Sequence, residues 1–361
     1  MKRIFAGMAA ALLAAVLFFP CEVSALSAEK AILMDAQTKR VLYQKNAADR
    51  SLIASTTKIM TALVICEQCN VLDRMSIPKE AVGIEGSSMY LKEGEVLTVQ
   101  ELLYGLMLHS GNDAATALAI YCGGTVEGFV QLMNDKAHRL GLEDTHFENP
   151  HGLDSPAHYS TAKDLAVLSA YAMKNPIFRQ TVSTKSLKAG DRYLTNHNKL
   201  LWRVEGADGV KTGFTKAAGR ILVSSATRDG RRLIAVTINA PSDWNDHESL
   251  YTMGFRDFTL QTVVEEGEVL GSFEVAGGRQ GSVDVVSDAS FSYPLKKDEE
   301  VTVVLQKPGF VYAPVVEGTF AGYAYVCVDG AEVGKVPLVF DNTVEQQATP
   351  KVSFFKKLFG E

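Results

Sequence analysis

Residues 55–66 read STTKIMTALVIC, and this stretch decides which fold the rest of the chain must supply. Thr56–Cys66 is apolar on nearly every side of a helix, which is typical of a helix buried inside a domain and not of one lying on its surface. Ser55 and Lys58 stand at its start. The stretch therefore predicts a central, enclosed helix with a hydroxyl and an amine in its first turn.

The segments on either side of this helix predict the elements that enclose it. Two strands precede it around a turn at residues 35–38, and Asp229-Gly230 predicts a tight hairpin between two later strands. Thr98 and Glu101 form a capping box that opens another helix. The predicted strands are Ala31–Met34, Val41–Gln44, Arg220–Ala226 and Leu233–Ile238, and the predicted helices are Val99–Leu108, Ala114–Tyr121, Val126–Leu140, Ala162–Ala172 and Asp243–Met253, the last closed by Gly254. This order predicts an α/β (α+β) domain with helices around an antiparallel sheet.

The C-terminal part of the chain has a different pattern. With 361 residues the chain is too long for one ordinary domain, and after Thr262 it turns to short alternating strands separated by glycines. We therefore expect a first domain over 26–260, a small all-β, β-sandwich-like domain over 262–342, and a linker with a short amphipathic tail over 343–361. Phe355, Leu358 and Phe359 share one helical face beside two lysines, which predicts a peripheral membrane contact.

The N-terminus indicates the compartment. Lys2 and Arg3 precede an uncharged apolar run from Ile4 to Phe19, and small residues stand before a cleavage point at Ala25. The run is shorter than the about 20 residues that a membrane-spanning helix needs. Residues 1–25 are therefore predicted to be a removable signal peptide, and the protein is expected to be exported and extracytoplasmic, at the outer face of the cytoplasmic membrane or in the cell wall.

Charge and side-chain composition exclude several classes of function. Lys and Arg number 36 against 42 Asp and Glu, so the chain lacks the basic excess of a nucleic-acid-binding protein. Cys66 and Cys69 have a metal or redox spacing, but no second Cys or His pair follows to complete a zinc site, and we expect buried apolar thiols there. No two histidines form a helical i, i+4 pair. The sequence predicts neither a metal site nor a cofactor.

Three short motifs carry the chemistry. Ser55 and Lys58 lie at i and i+3 of the central helix, so the amine can reach the hydroxyl and act as the base that a serine nucleophile requires. Burial and a neighbouring cation can lower the pKa of a lysine enough for this role. Lys211, in the motif Lys211-Thr212-Gly213, is the candidate cation. The remaining motif, Ser110-Gly111-Asn112, lies between the other two along the chain, in a break between two predicted helices.

The remaining motif residues predict substrate binding. Ser110 can pass a proton between Lys58 and a leaving group, while Asn112 is predicted to orient and bind substrate. Lys211 and Thr212 suit a substrate carboxylate, by charge and by a hydrogen bond respectively. Gly213 leaves room for substrate at the strand, and the backbone N–H of Phe214, with that of Ser55, can stabilise an oxyanion.

The pattern S-x-x-K alone is weak because it occurs four times, at Ser27–Lys30, Ser55–Lys58, Ser76–Lys79 and Ser353–Lys356. Pro78 inside the third copy excludes a helix interior there. Among the four copies, that of Ser55 begins a buried helix. The specific signal is the ordered set of three motifs within one domain of an exported protein.

This ordered set resembles the low-molecular-mass penicillin-binding proteins, the serine-type D-Ala-D-Ala carboxypeptidases, which share the serine β-lactamase fold. Residues 149–153 (NPHGL) and 209–215 (GVKTGFT) are similar to this family too, and the resemblance covers about residues 28–260. It implies that the penultimate D-alanine carbonyl of a peptidoglycan stem pentapeptide acylates Ser55, that terminal D-alanine leaves, and that water hydrolyses the acyl-enzyme. β-Lactam antibiotics would be trapped covalently on the same serine.

Three alternatives stay open at this point. Class A β-lactamases have related motifs, although Ser-Gly-Asn at residues 110–112 favours the carboxypeptidases. A D,D-endopeptidase would use the same site on cross-linked peptides. A catalytically silent peptidoglycan-binding scaffold is a different class of protein, and the intact motifs argue against it. The sequence contains no residue that we can match to a separate deacylating base, and Lys58 is our first candidate.

Overall fold

The computed structural model describes residues 26–348, so the predicted signal peptide and the three apolar residues of the tail lie outside the described residues. The helices of the described part are α1 (Lys58–Gln68), α2 (Val99–Leu108), α3 (Asn112–Gly123), α4 (Val126–Arg139), α5 (Ala162–Ala172), α6 (Pro176–Ser183), α7 (Leu200–Arg203) and α8 (Asp243–Asp257). Among these residues, no helix is both long enough and apolar enough to cross a bilayer.

The strands fall into two groups along the chain. Those before residue 240 are β1 (Lys30–Asp35), β2 (Val41–Lys45), β3 (Arg74–Ser76), β4 (Val96–Thr98), β5 (Ser186–Ala189), β6 (Arg192–Thr195), β7 (Ala207–Thr215), β8 (Gly219–Arg228) and β9 (Arg231–Ile238). Those after it are β10 (Thr259–Val264), β11 (Val269–Ala276), β12 (Ser282–Ser287), β13 (Phe291–Leu295), β14 (Val301–Leu305), β15 (Val311–Tyr312), β16 (Phe320–Val328) and β17 (Ala331–Phe340).

A five-stranded antiparallel sheet with the order β2-β1-β9-β8-β7 forms the centre of the first group. Alternate residues of β1 enter two different hydrophobic clusters, with Ile32 and Met34 in one and Leu33 in the other. Both faces of the sheet are therefore buried under helices, with α1, α2 and α3 in the larger cluster and α8 in the smaller one. The order leaves β7 at an edge, where one row of its backbone groups has no neighbouring strand.

The central helix is buried as its composition predicts. The chain enters it through a 3₁₀ turn, Ala54–Thr57, and every residue of α1 from Lys58 to Ile65 is buried. Lys58, not Ser55, is the first residue of the regular helix. The serine is thus held on a tighter turn in front of the helix.

The predicted end of the last helix is wrong. α8 continues through Gly254 to Asp257, so Gly254 does not close it. A Cβ at this position would lie 2.5 Å from Leu33 Cδ2 and 2.9 Å from Leu233 Cδ1. The glycine is there because α8 packs closely on β1 and β9, a contact distant in sequence that no local signal reveals.

The second group of strands forms an all-β part with a six-stranded sheet of order β14-β16-β17-β12-β11-β15 and a two-stranded sheet of β10 and β13. The boundary expected at residues 260–262 falls inside β10, which pairs with β13, and we propose Phe258 as the junction. The linker expected from residue 343 begins inside this part, because Val344 pairs with Val315 and Gln346 with Gly278. The chain therefore has the predicted fold, helices around an antiparallel sheet followed by an all-β C-terminal part.

Candidate active site

Ser55 lies on a strained turn that the surrounding structure supports. Ala54, the residue before it, has a φ of 45°, a conformation that is unfavourable for any residue with a Cβ. Its carbonyl accepts a hydrogen bond of 2.9 Å from Thr57 Oγ1, and that hydroxyl also contacts His158 Nε2 at 2.7 Å. These contacts fix the direction of the turn, which leaves Ser55 partly exposed in front of the buried helix.

The loop at residues 149–153 packs directly against this turn. Asn149 Oδ1 accepts hydrogen bonds from the backbone N–H groups of Gly152 at 2.7 Å and His151 at 3.3 Å. Gly152 has a φ of 89°, and a Cβ there would lie 1.9 Å from the carbonyl oxygen of Ala54. Glycine is therefore required, and the loop directs the carbonyl of His151 toward the buried helix.

Lys58 Nζ has three polar partners, and each of them restricts the protonation state of the amine. It lies 2.6 Å from Asn112 Oδ1, 2.7 Å from the carbonyl oxygen of His151 and 3.0 Å from Ser55 Oγ. The orientation of the Asn112 amide is set by its other end, since Nδ2 donates to the carbonyl of Glu85 at 2.5 Å. Two of the three partners can therefore only accept, and they take two N–H bonds of a neutral amine. The lone pair is then left for the hydroxyl of Ser55.

The electrostatics of the site favour this neutral amine. Lys58 is fully buried, and burial holds its pKa well below the ordinary range of lysine. The nearby Lys211 cation lowers the pKa further, while Asp113 opposes the shift. Burial and Lys58 also lower the pKa of His151 to about 3, so this histidine is neutral at physiological pH and contributes its backbone carbonyl to the site. Burial and Lys211 thus lower the pKa of Lys58 in the predicted direction, and its role as a base stays a prediction.

Lys211 lies on the edge strand, with its amine turned inward. The side chain is buried, Nζ donates to the carbonyl of Thr212 at 2.8 Å, and burial lowers its pKa to about 7. Its charge is thus sensitive to a binding partner, because an anion that contacts Nζ would stabilise the charged form.

Strand pairing shows where the N–H of Phe214 points. Phe214 is opposite Arg220 of β8, and the carbonyl of Arg220 faces the other way, accepting from Ala240 N–H at 3.0 Å. In an antiparallel pair this makes Phe214 and Arg220 a non-hydrogen-bonded couple. The N–H of Phe214 therefore points away from β8 to the free edge. A Cβ on Gly213 would come within 3.3 Å of Ser55 N, so the strand passes directly beside the serine turn.

A cleft of about 670 Å³ lies over these elements. Ser55, Ser110, Thr212, Gly213 and Phe214 line it, whereas the buried amines of Lys58 and Lys211 and the amide of Asn112 lie behind these residues. The structure thus brings every residue of the three motifs to one place. Both ends of the Asn112 amide are occupied, so its substrate-binding role stays a prediction and the observed contact is with Lys58.

Several residues of the site are not predicted by the sequence. Arg220 lines the cleft, held by Asp243 at 2.8 Å and lying over Trp244, although the sequence indicated only that it is in a strand. The carbonyl of His151 cannot be predicted from residue types, because every residue has a backbone carbonyl. Asn149 and Gly152 offered a weak signal, since Asx turns and left-handed glycines cluster in loops that present backbone groups.

Comparison with known proteins places this geometry in context. The sequence matches the family described as D-alanyl-D-alanine carboxypeptidase over residues 19–242 and the penicillin-binding protein 5 C-terminal domain over residues 258–346. It is 31% identical to the carboxypeptidase DacF of Bacillus subtilis over 92% of this chain and 90% of the relative, and 32% identical to DacC of Escherichia coli over 90% and 86%. The crystal structure of penicillin-binding protein 5 from Haemophilus influenzae is similar with a TM-score of 0.77 and 29% identity, covering 89% of this chain and 98% of that one.

Proposed function

Because this chain belongs to the D-alanyl-D-alanine carboxypeptidase family of low-molecular-mass penicillin-binding proteins, we propose that Ser55 is its nucleophile, Lys58 the general base and Ser110 the residue that transfers the proton to the leaving group. The chain is a serine-type D-Ala-D-Ala carboxypeptidase. The proposal concerns which of its residues perform the reaction.

The contact between Lys58 and Ser55 carries this assignment. Two obligate acceptors occupy two N–H bonds of Lys58, and its lowered pKa favours a lone pair that faces Ser55 Oγ at 3.0 Å. The amine removes the hydroxyl proton as the oxygen attacks the carbonyl of the penultimate D-alanine. Ser110, which lines the same cleft, then gives its proton to the departing D-alanine amine and takes one in return from Lys58. We propose that Lys58 also activates the water that hydrolyses the acyl-enzyme.

Substrate binding uses the edge of β7. A stem peptide that lies along this strand can bond to the outward N–H of Phe214, which with the N–H of Ser55 forms an oxyanion hole. Lys211 and Thr212 bind the terminal carboxylate, Gly213 allows close approach, and Asn112 orients the substrate through Lys58.

Arg220 supplies a second cation for the terminal carboxylate, because it lines the cleft beside Thr212 and is held there by Asp243. Removing a charge that acts in binding weakens the substrate complex more than the chemical step. Arg220→Gln should then raise KM more than it lowers kcat.

Release of D-alanine from a soluble pentapeptide tests the nucleophile. Ser55→Ala should abolish release and also the covalent adduct with fluorescent penicillin, because among the described residues the one hydroxyl recorded in contact with Lys58 Nζ is that of Ser55. Ser76→Ala is the matched control, since Ser76 and Lys79 repeat the S-x-x-K pattern on an exposed strand end. Unchanged turnover in Ser55→Ala would refute the assignment.

Penicillin labelling and muropeptide analysis distinguish the alternative activities. A stable penicillin adduct is expected of a carboxypeptidase, whereas rapid hydrolysis of the drug is expected of a β-lactamase. Conversion of cross-linked muropeptide dimers to monomers, detected by mass spectrometry, would reveal endopeptidase activity at the same site. Stem peptides and β-lactams are thus the proposed partners.

The family consists of extracytoplasmic cell-wall enzymes. We propose that this chain works at the outer face of the cytoplasmic membrane and that its C-terminal tail contacts the bilayer. Removing residues after 348 should then abolish co-sedimentation with anionic vesicles and leave activity on soluble peptide intact. Co-sedimentation that survives this truncation would contradict the membrane role of the tail.

A further inference from the structure

Two cysteines lie together at the far ends of the helices that hold the catalytic contact. Cys69 is the C-cap of α1, and Cys122 is in the last turn of α3. Their thiols are hydrogen-bond partners, and both residues are partly buried against the main hydrophobic cluster. The spacing pattern had drawn attention to Cys66 and Cys69, yet the partner of Cys69 in space is on another helix.

Neighbouring contacts hold these two helix ends in place. Tyr121, next to Cys122, donates its hydroxyl to Asp73 Oδ2 at 2.9 Å, just after the end of α1. Asn70 Nδ2 binds the other carboxylate oxygen of Asp73 at 2.9 Å and closes the intervening turn. Because the hydrogen bond between Tyr121 and Asp73 already holds these two helix ends together, a bond between the neighbouring thiols requires little movement of the backbone.

The two thiols differ in reactivity, and a third thiol nearby is inert. The hydrogen bond from Cys69 lowers the pKa of Cys122, so Cys122 forms a thiolate more readily, while the same bond raises the pKa of Cys69. Burial raises the pKa of Cys66 to about 12, which removes it from thiol exchange at neutral pH. All four described cysteines are reduced in the structure.

We propose that Cys69 and Cys122 form a disulfide when the enzyme meets a disulfide oxidant outside the cytoplasm, where such bonds persist. The Cys122 thiolate attacks one sulfur of the external disulfide and releases the other half as a thiolate. Cys69 then loses its proton and attacks the sulfur of Cys122, and the second half leaves. One external disulfide is reduced to two thiols while the two cysteine thiols are oxidised to one disulfide.

The position of this bond gives it a structural consequence. α1 begins at Lys58 and α3 begins at Asn112, and the 2.6 Å contact between Lys58 Nζ and Asn112 Oδ1 joins these near ends. The disulfide would join the opposite ends of the same two helices. It would constrain the unfolded chain and hold the helix pair together on heating, without touching the cleft.

Oxidation of the purified full chain with oxidised glutathione, followed by alkylation and peptide mass spectrometry, tests the proposal. We expect one linked peptide pair, Cys69 with Cys122, about 2 Da lighter than the two reduced peptides, with Cys66 and Cys327 alkylated. Oxidation should raise the Tm by on the order of 5 °C and leave kcat at room temperature unchanged.

Two variants make the result decisive. Cys122→Ser should lose the rise in Tm on oxidation, whereas Cys327→Ser, in the β part, should keep it. If Cys122→Ser does not fold, Cys69→Ser serves the same purpose, and circular dichroism checks both. Alkylation of both Cys69 and Cys122 after oxidation, or a link between Cys66 and Cys69, would overturn the proposal. A bond that forms without a rise in Tm would overturn the stabilising role.

Discussion

Two buried lysines with opposite requirements stand at the centre of the site. In the proposed mechanism Lys58 must be neutral to accept the proton of Ser55, and burial with the Lys211 cation lowers its pKa in that direction. Lys211 must be charged to bind a carboxylate, yet burial lowers its pKa to about 7 in the free enzyme. The pKa of Lys58 is therefore lowered by burial and by Lys211, whereas burial alone lowers the pKa of Lys211, and local sequence encodes neither effect.

The pH dependence of kcat/KM follows from these two groups. As pH rises through the lowered pKa of Lys58, the neutral base becomes available and the rate increases. As pH rises past about 7, Lys211 loses its charge in the free enzyme and the rate falls. Lys211→Arg keeps the cation at all pH values, so its alkaline limb should move upward. Lys211→Gln removes the cation and should shift the acid limb to higher pH, because the pKa of Lys58 rises. An alkaline limb that Lys211→Arg leaves in place would contradict this role.

Substitution of Gly152 should lower kcat more than the backbone conformation of this residue alone explains. Its added Cβ would collide with the carbonyl of Ala54, so Gly152→Ala should displace the serine turn and lower kcat by about 100-fold. Gly141 has a similar φ of 69° with nothing within 4 Å of the added Cβ. Gly141→Ala should therefore cost only about 1 kcal/mol of stability and leave kcat unchanged. Equal effects of the two substitutions on kcat would argue against the collision.

At the scale of elements, α8 is joined to the sheet by a buried polar group. His247 is fully buried, with Nδ1 at 2.6 Å from Ser224 Oγ on β8 and Nε2 at 2.9 Å from Thr237 Oγ1 on β9. Tyr251, one turn later, shares Ser224 Oγ at 2.6 Å. The helix is thus aligned on two neighbouring strands by groups that lose their solvation on folding.

This contact makes the fold sensitive to acid. Burial lowers the pKa of His247 to about 3 in the folded protein, against about 6.5 when unfolded. The unfolded chain therefore binds more protons between these values, and stability falls as pH drops below about 6.5, by about 1.4 kcal/mol per pH unit for this histidine.

Urea unfolding at a series of pH values isolates this contribution. His247→Gln removes the titrating group. The stability of this variant should therefore depend less steeply on pH than that of the wild type, by about 1.4 kcal/mol per pH unit. His138→Gln, on an exposed site, should keep the slope of the wild type. Identical slopes in wild type and His247→Gln would show that the pKa of His247 is the same in the folded and the unfolded protein, which would contradict this role.

At the scale of the whole molecule, one side chain joins the catalytic part to the β part. Arg40, in the turn before β2, forms an ion pair with Glu299, donates to the carbonyl of Pro294, and lies over the rings of Phe258 and Tyr293 at 5.1 and 5.0 Å. The Arg40 and Glu299 side chains are both only 13% exposed. This pair is therefore better shielded than most surface ion pairs and restrains the junction at Phe258.

Loss of this contact should loosen the junction without affecting chemistry. Arg40→Gln should accelerate protease cleavage near Phe258 several-fold, while D-alanine release from soluble peptide stays unchanged, because the cleft is built entirely before residue 245. Arg50→Gln removes an equivalent cation from an exposed pair within the first part and should not change cleavage. A fragment ending at Phe258 should likewise remain active. A folded but inactive fragment would assign the β part a role in catalysis.

The sequence by itself determined several of the helices and strands and the spacing of the motif residues. Caps and apolar periodicity located α2 and α5 with their observed bounds, and the i, i+3 spacing placed Lys58 within reach of Ser55, because these features depend on neighbours in the chain. Only the tertiary structure decided which acceptors hold Lys58, which strand became the open edge, and why Gly254 is a glycine. These features join segments far apart in sequence, so the pattern of any one segment cannot contain them.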